Sequence, residues 1–142
     1  MSFLSPITNL FLRKKAQLIV TFGIRHVYDV EDANLLIGRA TSQEMSLLEG
    51  KMSEKIGHKI TIQNNNFSKV ISRKHATLRW DARQRKYELT VLGEKGVWLI
   101  QKEAGRTKTT SLKNNEQSFV ENGAIIEMPA GGTPLVKITV LY

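Results

Sequence analysis

Short runs of alternating apolar and polar residues, separated by turn residues, dominate this sequence. Ala76, Leu78 and Trp80 alternate with polar or charged residues, and Val136 and Ile138 do the same near the end of the chain. A period of two indicates strands with one buried face. Turns recur every ~8–12 residues, a spacing typical of β-sandwiches and barrels. The pattern therefore predicts an all-β domain.

The predicted strands are short and numerous, about ten or eleven in an antiparallel-rich sandwich. Their approximate ranges are 16–22, 24–30, 34–37, 59–63, 76–80, 87–92, 97–100, 117–120, 124–128 and 135–141.

One segment departs from the strand pattern. Thr41 and Glu44 have the spacing of a capping box, in which a hydroxyl and a carboxylate satisfy free amides at a helix start. Apolar residues follow at helical spacing from Met45, which predicts a short amphipathic helix from Ser42 to about Lys55. The alternative is a flexible loop that matches this spacing by chance.

The chain has 142 residues, enough for one domain with its own core. We expect residues 15–142 to form that domain and residues 1–14 to be a loosely ordered leader. The leader's charges follow its apolar residues, which is opposite to a secretory signal. No run reaches the ~20 apolar residues of a membrane span. The absence of cysteine excludes disulfides and thiolate metal sites and agrees with a reducing compartment.

The composition is basic, with 21 Lys and Arg residues against 13 Asp and Glu and a net charge of +8. This excess favours an anionic partner such as nucleic acid, a phosphoprotein or an acidic surface. A basic surface that serves only solubility is the alternative, and charge alone does not separate the two.

Two polar segments flank predicted strands and could converge at one end of a sandwich. Gly38 and Arg39 follow one strand, and Ser72, Arg73 and Lys74 precede another. Arg39 offers a planar fork of donors that suits phosphate oxygens. Ser72 offers a hydroxyl and a free main-chain amide, and the basic residues after it add positive charge. Together these groups suit a phosphate of about −2 charge.

Three ordered blocks of this sequence resemble the hallmark blocks of forkhead-associated (FHA) domains. They are Gly38–Arg39, Ser72–Ala76 and Tyr87–Leu99, and the resemblance spans roughly residues 16–142. Ser-Arg-Lys-His-Ala is the most specific block, and the third block is closest in form to FHA domains of forkhead-type transcription factors. The resemblance implies an FHA-type β-sandwich that binds phosphothreonine peptides.

The resemblance also implies roles for individual residues. Arg39 would bind the phosphate directly, Ser72 would donate its hydroxyl to a phosphate oxygen, and Arg73 would add a second basic contact. The family usually has Asn where this chain has Lys95, and that Asn holds the peptide main chain. Lys cannot accept a hydrogen bond, so this contact at the peptide site is lost or changed. Glu94 would repel a phosphate if it faced the site.

Three further residues would support the site. The resemblance implies that His75 is structural, with its ring bonding across loops to hold the Ser72 turn. Gly38 would permit the tight turn that aims Arg39, and Gly96 would permit the turn before Val97.

The segment between Arg39 and Ser72 is longer than expected for a compact FHA loop. It contains the predicted helix and the polar run 63–66. It is either an elaborated recognition loop or a tolerated insertion, because lengthening a loop costs little free energy.

Catalysis is not predicted. His26, His58 and His75 lack metal-ligand spacing, and a solvated loop explains the acidic cluster near Asp29 and Asp32. We therefore expect no metal, no cofactor and no enzymatic activity.

The predicted partner is a phosphothreonine-containing protein, bound by a monomer in the nucleus or cytoplasm, with no membrane association and no secretion. Signalling or transcriptional regulation is the expected context. A basic β-domain that binds nucleic acid is the main alternative, with aromatic residues stacking on bases. The candidates for stacking are Trp80, Trp98, Tyr87 and Phe67. A third hypothesis is an FHA-fold interaction module that has lost phosphate recognition.

Overall fold

The computed structural model describes residues 15–142, so the predicted leader, residues 1–14, lies outside the described residues. Two six-stranded sheets pack into a sandwich, which confirms the predicted all-β class. The strands are β1 Ala16–Phe22, β2 Ile24–Val30, β3 Asn34–Arg39, β4 Ser53–Ile56, β5 Lys59–Ile62, β6 Ala76–Asp81, β7 Lys86–Val91, β8 Val97–Glu103, β9 Arg106–Leu112, β10 Gln117–Val120, β11 Ile125–Met128 and β12 Val136–Leu141. Their spatial orders in the two sheets are β2-β1-β12-β11-β8-β9 and β10-β7-β6-β3-β5-β4.

The core lies between the two sheets and takes alternate residues from their strands. Leu18 and Ile138 from the first sheet and Ile37 and Leu89 from the second are at most 1% exposed. Each such side chain contributes about 1.5–3 kcal/mol by leaving water. The period-two pattern of the sequence therefore corresponds to burial of one face of each sheet.

The pairing is antiparallel except between β3 and β5, which run parallel with Arg39 opposite Ile62. A parallel pair needs a crossover connection, and here the helix α1 (Ser42–Leu48) and β4 supply it. The long segment after Arg39 therefore contributes two strands, β4 and β5, to the second sheet. A 3-10 turn at Ser68–Val70 leads from β5 towards β6.

The helix begins where the sequence predicts and ends earlier. The Glu44 main-chain N–H donates to the Thr41 hydroxyl at 3.2 Å, and the Thr41 N–H donates to the Glu44 carboxylate at 2.9 Å. Glu49 and Gly50 then adopt positive φ values of 52° and 82°, which stops the helix after Leu48 rather than near Lys55. No helix in residues 15–142 is long and apolar enough to cross a bilayer.

Two of the twelve strands seen in the described residues were not predicted. β9 buries only Leu112 and is otherwise polar, so it lacks apolar alternation. It lies at a sheet edge, where exposed polar strands are common. β4 falls inside the range predicted as helix, because the spacing of Met52 continues the helical pattern of the preceding residues.

Candidate functional site

The end of β3 and the turn before β6 meet at one end of the sandwich. The Arg39 main-chain N–H donates to the Ser72 carbonyl oxygen at 3.0 Å, and the His75 N–H donates to the Ile37 carbonyl at 2.9 Å. These bonds bring together Arg39 and Ser72, the two residues from which the sequence analysis expects most of the phosphate contact.

Gly38 lies inside β3, opposite Thr61, and not in the tight turn expected from the sequence. A Cβ at Gly38 would lie 1.9 Å from the carbonyl oxygen of Arg73 and 2.8 Å from that of Ser72. The glycine is needed because two main-chain segments approach this closely. The expectation that Gly38 permits a tight turn is therefore corrected.

The Arg39 side chain is half-buried and has an unsatisfied donor. Its Nε is buried and has no hydrogen-bond partner within residues 15–142. A buried donor without an acceptor costs about 1–3 kcal/mol, so an anion that reached this atom would recover that free energy. The Arg39 carbonyl oxygen accepts a 3.0 Å hydrogen bond from the Lys59 ammonium, which anchors the main chain here.

Ser72 presents its hydroxyl but not its main-chain amide. The Ser72 N–H donates to Nδ1 of His75 at 3.0 Å, so the expectation of a free amide for a phosphate is wrong. No hydrogen bond of the Ser72 hydroxyl is found in the described part of the chain. Arg73 and Lys74 follow in an exposed turn.

His75 is fully buried and joins two loops. Its Nε2 bonds the Gly96 carbonyl oxygen at 2.8 Å. The Ser72 amide can only donate and the Gly96 carbonyl can only accept, so the ring is neutral and carries its hydrogen on Nε2. Burial lowers the pKa of His75, and the bond to Gly96 opposes that shift only in part. These are the cross-loop bonds expected for this histidine.

Gly93 makes room for the His75 ring, a role that the sequence analysis missed. A Cβ at Gly93 would lie 2.5 Å from Nδ1 of His75. The Gly93 N–H also donates to the His75 carbonyl oxygen at 2.9 Å. The glycine of the third block was visible in the sequence, but no pattern there indicated which ring it would face.

Gly96 forms the turn before β8 with a positive φ of 70°. A Cβ there would lie 2.5 Å from the Leu112 carbonyl oxygen, so a side chain would be excluded by space as well as by conformation. The turn therefore places Leu112, the last residue of β9, next to the loop whose Gly96 carbonyl bonds the His75 ring.

Lys95 is exposed on this turn, beside the residues that support Ser72. Its carbonyl oxygen accepts hydrogen bonds from Ala130 at 3.1 Å and Gly131 at 2.9 Å. Within residues 15–142, no hydrogen bond or ion pair joins the Lys95 side chain to Arg39 or Ser72. The next residue, Gly96, bonds the His75 ring through its carbonyl, so Lys95 lies on the loop that supports the Ser72 turn, at the rim of the candidate site.

The polar run 63–66 forms a hydrogen-bonded loop before Ser72. The Asn65 side-chain oxygen accepts hydrogen bonds from the Phe67 and Ser68 main-chain N–H groups at 2.9 and 3.0 Å. The buried Ser68 hydroxyl donates to the Gln63 carbonyl at 2.7 Å. The loop presents Phe67 with 74% of its surface exposed.

Other chemistry finds less support in the geometry. The described residues contain no group of three or more His, Cys, Asp or Glu side chains able to hold a metal ion. Trp80 packs edge-on against Tyr87 and Tyr142, with ring centroids 5.1 and 5.6 Å away. These rings belong to a packed aromatic cluster, which leaves Trp80 and Tyr87 poorly placed to stack on bases.

Solved structures with a similar fold include FHA domains. Full-length yeast Pml1p has a TM-score of 0.60 at 12% identity, covering 99% of this chain and 93% of that one. The N-terminal FHA domain of S. cerevisiae Rad53p, in complex with a phosphothreonine peptide, has a TM-score of 0.54 at 15% identity, covering 90% and 93%. The FHA domain of human APLF, in complex with an XRCC1 bisphospho peptide, has a TM-score of 0.56 at 15% identity, covering 91% and 99%.

Sequence comparison gives the family directly. No curated protein matches the chain. The family model for the FHA domain matches residues 35–117, more than half of the chain and all three blocks singled out in the sequence. The sandwich of the described residues agrees with that match. The chain belongs to the FHA domain family.

Proposed function

We propose that this domain binds phosphothreonine-containing segments of partner proteins at the end of the sandwich where Arg39 meets Ser72. The observation that carries the proposal is the 3.0 Å bond between their main chains, together with the buried Nε of Arg39 that lacks a partner in residues 15–142. Arg39 would hold two phosphate oxygens, Ser72 would donate its hydroxyl, and Arg73 would add charge.

The family supports this proposal. FHA domains are interaction modules, and the similar domain of Rad53p holds a phosphothreonine peptide. We therefore propose that this chain acts by binding and not by catalysis. We propose that it does so as a monomer.

Lys95 is proposed to meet the peptide from the rim of the site. The family's usual Asn can donate to and accept from a peptide main chain, whereas an ammonium group only donates. Lys95 would therefore bind a carbonyl group or an anionic side chain of the peptide. It would depend less than Asn on the exact position of the peptide main chain.

A role in nuclear signalling or transcriptional regulation is the finer part of the proposal. It is supported by the net charge of +8 and by the form of the third sequence block. A fluorescent fusion of the full chain, imaged in cells, would test the nuclear location.

The experiment that tests the main proposal is calorimetric titration with a phosphothreonine peptide library and unphosphorylated twins. We expect at least one phosphopeptide to bind about 100-fold more tightly than its twin. If none does, the domain is an interaction module without phosphate recognition. If DNA or RNA binds instead, with affinity falling steeply as salt rises, the nucleic-acid hypothesis replaces this proposal.

A further inference from the structure

The loops around Ser72 carry more positive charge than one phosphate neutralises. Within residues 15–142, none of the cations on these loops belongs to an ion pair, while other cations of the domain do, such as Lys59 with Glu44 and Lys86 with Glu121. A phosphothreonine brings about −1.5 to −2 charges. Glu94 and Glu116 are the acidic residues of the same turns, so an excess of positive charge remains. The unpaired cations are Arg39, Lys69, Arg73, Lys74, Lys95 and Lys113.

Two of these cations line one groove beside the proposed phosphate site. The groove has a volume of about 430 Å³, and we call it the lysine groove. Its walls are built by Glu94–Gly96, Ser111–Asn114 and Ala130–Gly131, so both Lys95 and Lys113 face it.

The walls of the lysine groove are held by main-chain and amide hydrogen bonds. The Asn114 side-chain amide donates to the Leu92 carbonyl at 2.6 Å. The Gly131 N–H donates to the Lys95 carbonyl at 2.9 Å. Three chain segments therefore meet through main-chain bonds, and neither lysine ammonium group of the groove belongs to an ion pair within residues 15–142.

The lysine groove and the proposed phosphate site are linked through the ring of His75. The Gly96 carbonyl, at the groove wall, bonds one nitrogen of the His75 ring, and the other nitrogen accepts from Ser72. An extended peptide advances roughly 3.3 Å per residue. A residue two to four positions from a phosphothreonine at Arg39 could therefore reach the groove.

We propose that the lysine groove receives a second anionic side chain of the same peptide, and that a phosphorylated residue is preferred there over a carboxylate. This inference rests on the proposed binding of phosphothreonine at Arg39. Lys95 and Lys113 attract the second group, and Glu94, which lines the same groove, offsets one of their charges. A dianionic phosphate gains more from two ammonium groups than a carboxylate does.

The test compares peptides of one sequence by calorimetry at fixed salt. The peptides are unphosphorylated, phosphorylated on threonine alone, or phosphorylated there and carrying phosphoserine or Asp two to four residues away on either side. We expect phosphoserine in the best position to tighten binding about tenfold over the singly phosphorylated peptide, and Asp to tighten it less.

Single substitutions show which residues produce the gain in affinity from the second phosphate. Lys95→Gln and Lys113→Gln should each reduce the gain from the second phosphate to about threefold, and Glu94→Gln should increase it. Arg83→Gln is the matched control. It also removes one exposed cation, but it lies in the turn between β6 and β7, at the opposite end of the strand that starts beside His75. It should leave the gain unchanged.

Each contrary outcome has a separate meaning. If the singly phosphorylated peptide binds better than its unphosphorylated twin but no second phosphate changes affinity by more than twofold, this inference is wrong and the proposed function stands. If Arg83→Gln lowers the gain as much as Lys113→Gln, net charge and not the groove explains it, which also overturns the inference. If no phosphopeptide binds, the proposed function fails and this inference with it.

Discussion

The main-chain N–H of Arg39 donates a 3.0 Å hydrogen bond to the carbonyl oxygen of Ser72. The two proposed phosphate ligands are therefore positioned by backbone atoms, and their side chains take no part in holding the loops together. This separation matters for experiment, because a side-chain substitution at Arg39 should change binding without moving the loop that carries Ser72.

Replacing Gly38 should damage both the fold and the site. In Gly38→Ala the new Cβ would meet the Arg73 carbonyl oxygen at 1.9 Å, so the two backbone segments must separate. We expect a loss of about 2–4 kcal/mol in the free energy of unfolding, measured with urea. Gly131→Ala is the matched control, because its Cβ would meet ordinary contacts at 3.5 Å or more. Equal stability losses in the two variants would contradict the account.

His75 should contribute to stability through its two cross-loop bonds. His75→Ala leaves the Ser72 amide without its acceptor and removes a donor from the Gly96 carbonyl, and it opens a cavity in a fully buried position. We expect a loss of about 2–4 kcal/mol in denaturant unfolding. His58→Ala, in which the removed side chain is 84% exposed, should lose much less. A loss for His75→Ala no larger than that control would count against the bridging role.

The same histidine should make stability depend on pH near neutrality. Burial lowers the pKa of His75 in the folded chain below its usual 6.5, so the unfolded chain takes up the proton first as pH falls. This contribution is complete above pH 6.5 and is lost as pH falls below it. The stability difference between wild type and His75→Gln should therefore be larger at pH 7.5 than at pH 5.5. Both proteins keep the other histidines, so an unchanged difference would refute the assignment.

Lys59 should stabilise the fold by binding one residue before α1 and one residue in its first turn. Its ammonium donates to the Arg39 carbonyl at 3.0 Å and to the Glu44 carboxylate at 2.7 Å, and its side chain is only 10% exposed. Lys59→Met should lower the free energy of unfolding by about 1–3 kcal/mol. Lys51→Met, which breaks the more exposed pair with Glu54, should lower the free energy of unfolding much less. If the two variants lose the same amount, the anchoring role is wrong.

The stabilisation by the pair of Glu44 and Lys59 should depend on pH. Burial raises the pKa of Glu44, but hydrogen bonds from Lys59 and from the Thr41 main chain outweigh burial and hold the pKa below its usual 4.5. The stabilisation is present above pH 4.5 and is lost as pH falls further. The stability difference between wild type and Glu44→Gln should therefore shrink between pH 6 and pH 3.5, as urea unfolding would show.

Much of the fold could be predicted because burial of one sheet face leaves a period-two pattern. β1, β6 and β12 show it clearly. β9 could not be found this way, since a polar edge strand satisfies its main chain without burying alternate residues. The end of α1 was misplaced because Met52 keeps helical spacing, while the left-handed conformations of Glu49 and Gly50 leave no periodic signal.

The sequence indicated which residues come together at the candidate site, but not the bonds between them. Arg39, Ser72 and His75 could be identified because they lie in short sequence blocks. The order of these blocks along the chain can be recognised without a structure. Which main-chain groups are free depends on tertiary contacts, and the Ser72 amide proved to be taken by His75. The close approach behind Gly38 is likewise a distance between remote segments, which a single sequence does not contain.

The most direct test of phosphate reading is calorimetric titration of Arg39→Ala against the best phosphothreonine peptide, with Arg39→Lys and Arg83→Ala as controls. Loss of the guanidinium fork should weaken binding about 100-fold or more, Arg39→Lys should recover part of it, and Arg83→Ala should bind as the wild type does. Thermal unfolding should confirm that all three variants remain folded. If folded Arg39→Ala binds the phosphopeptide within twofold of wild type, Arg39 does not read the phosphate and the central claim is wrong.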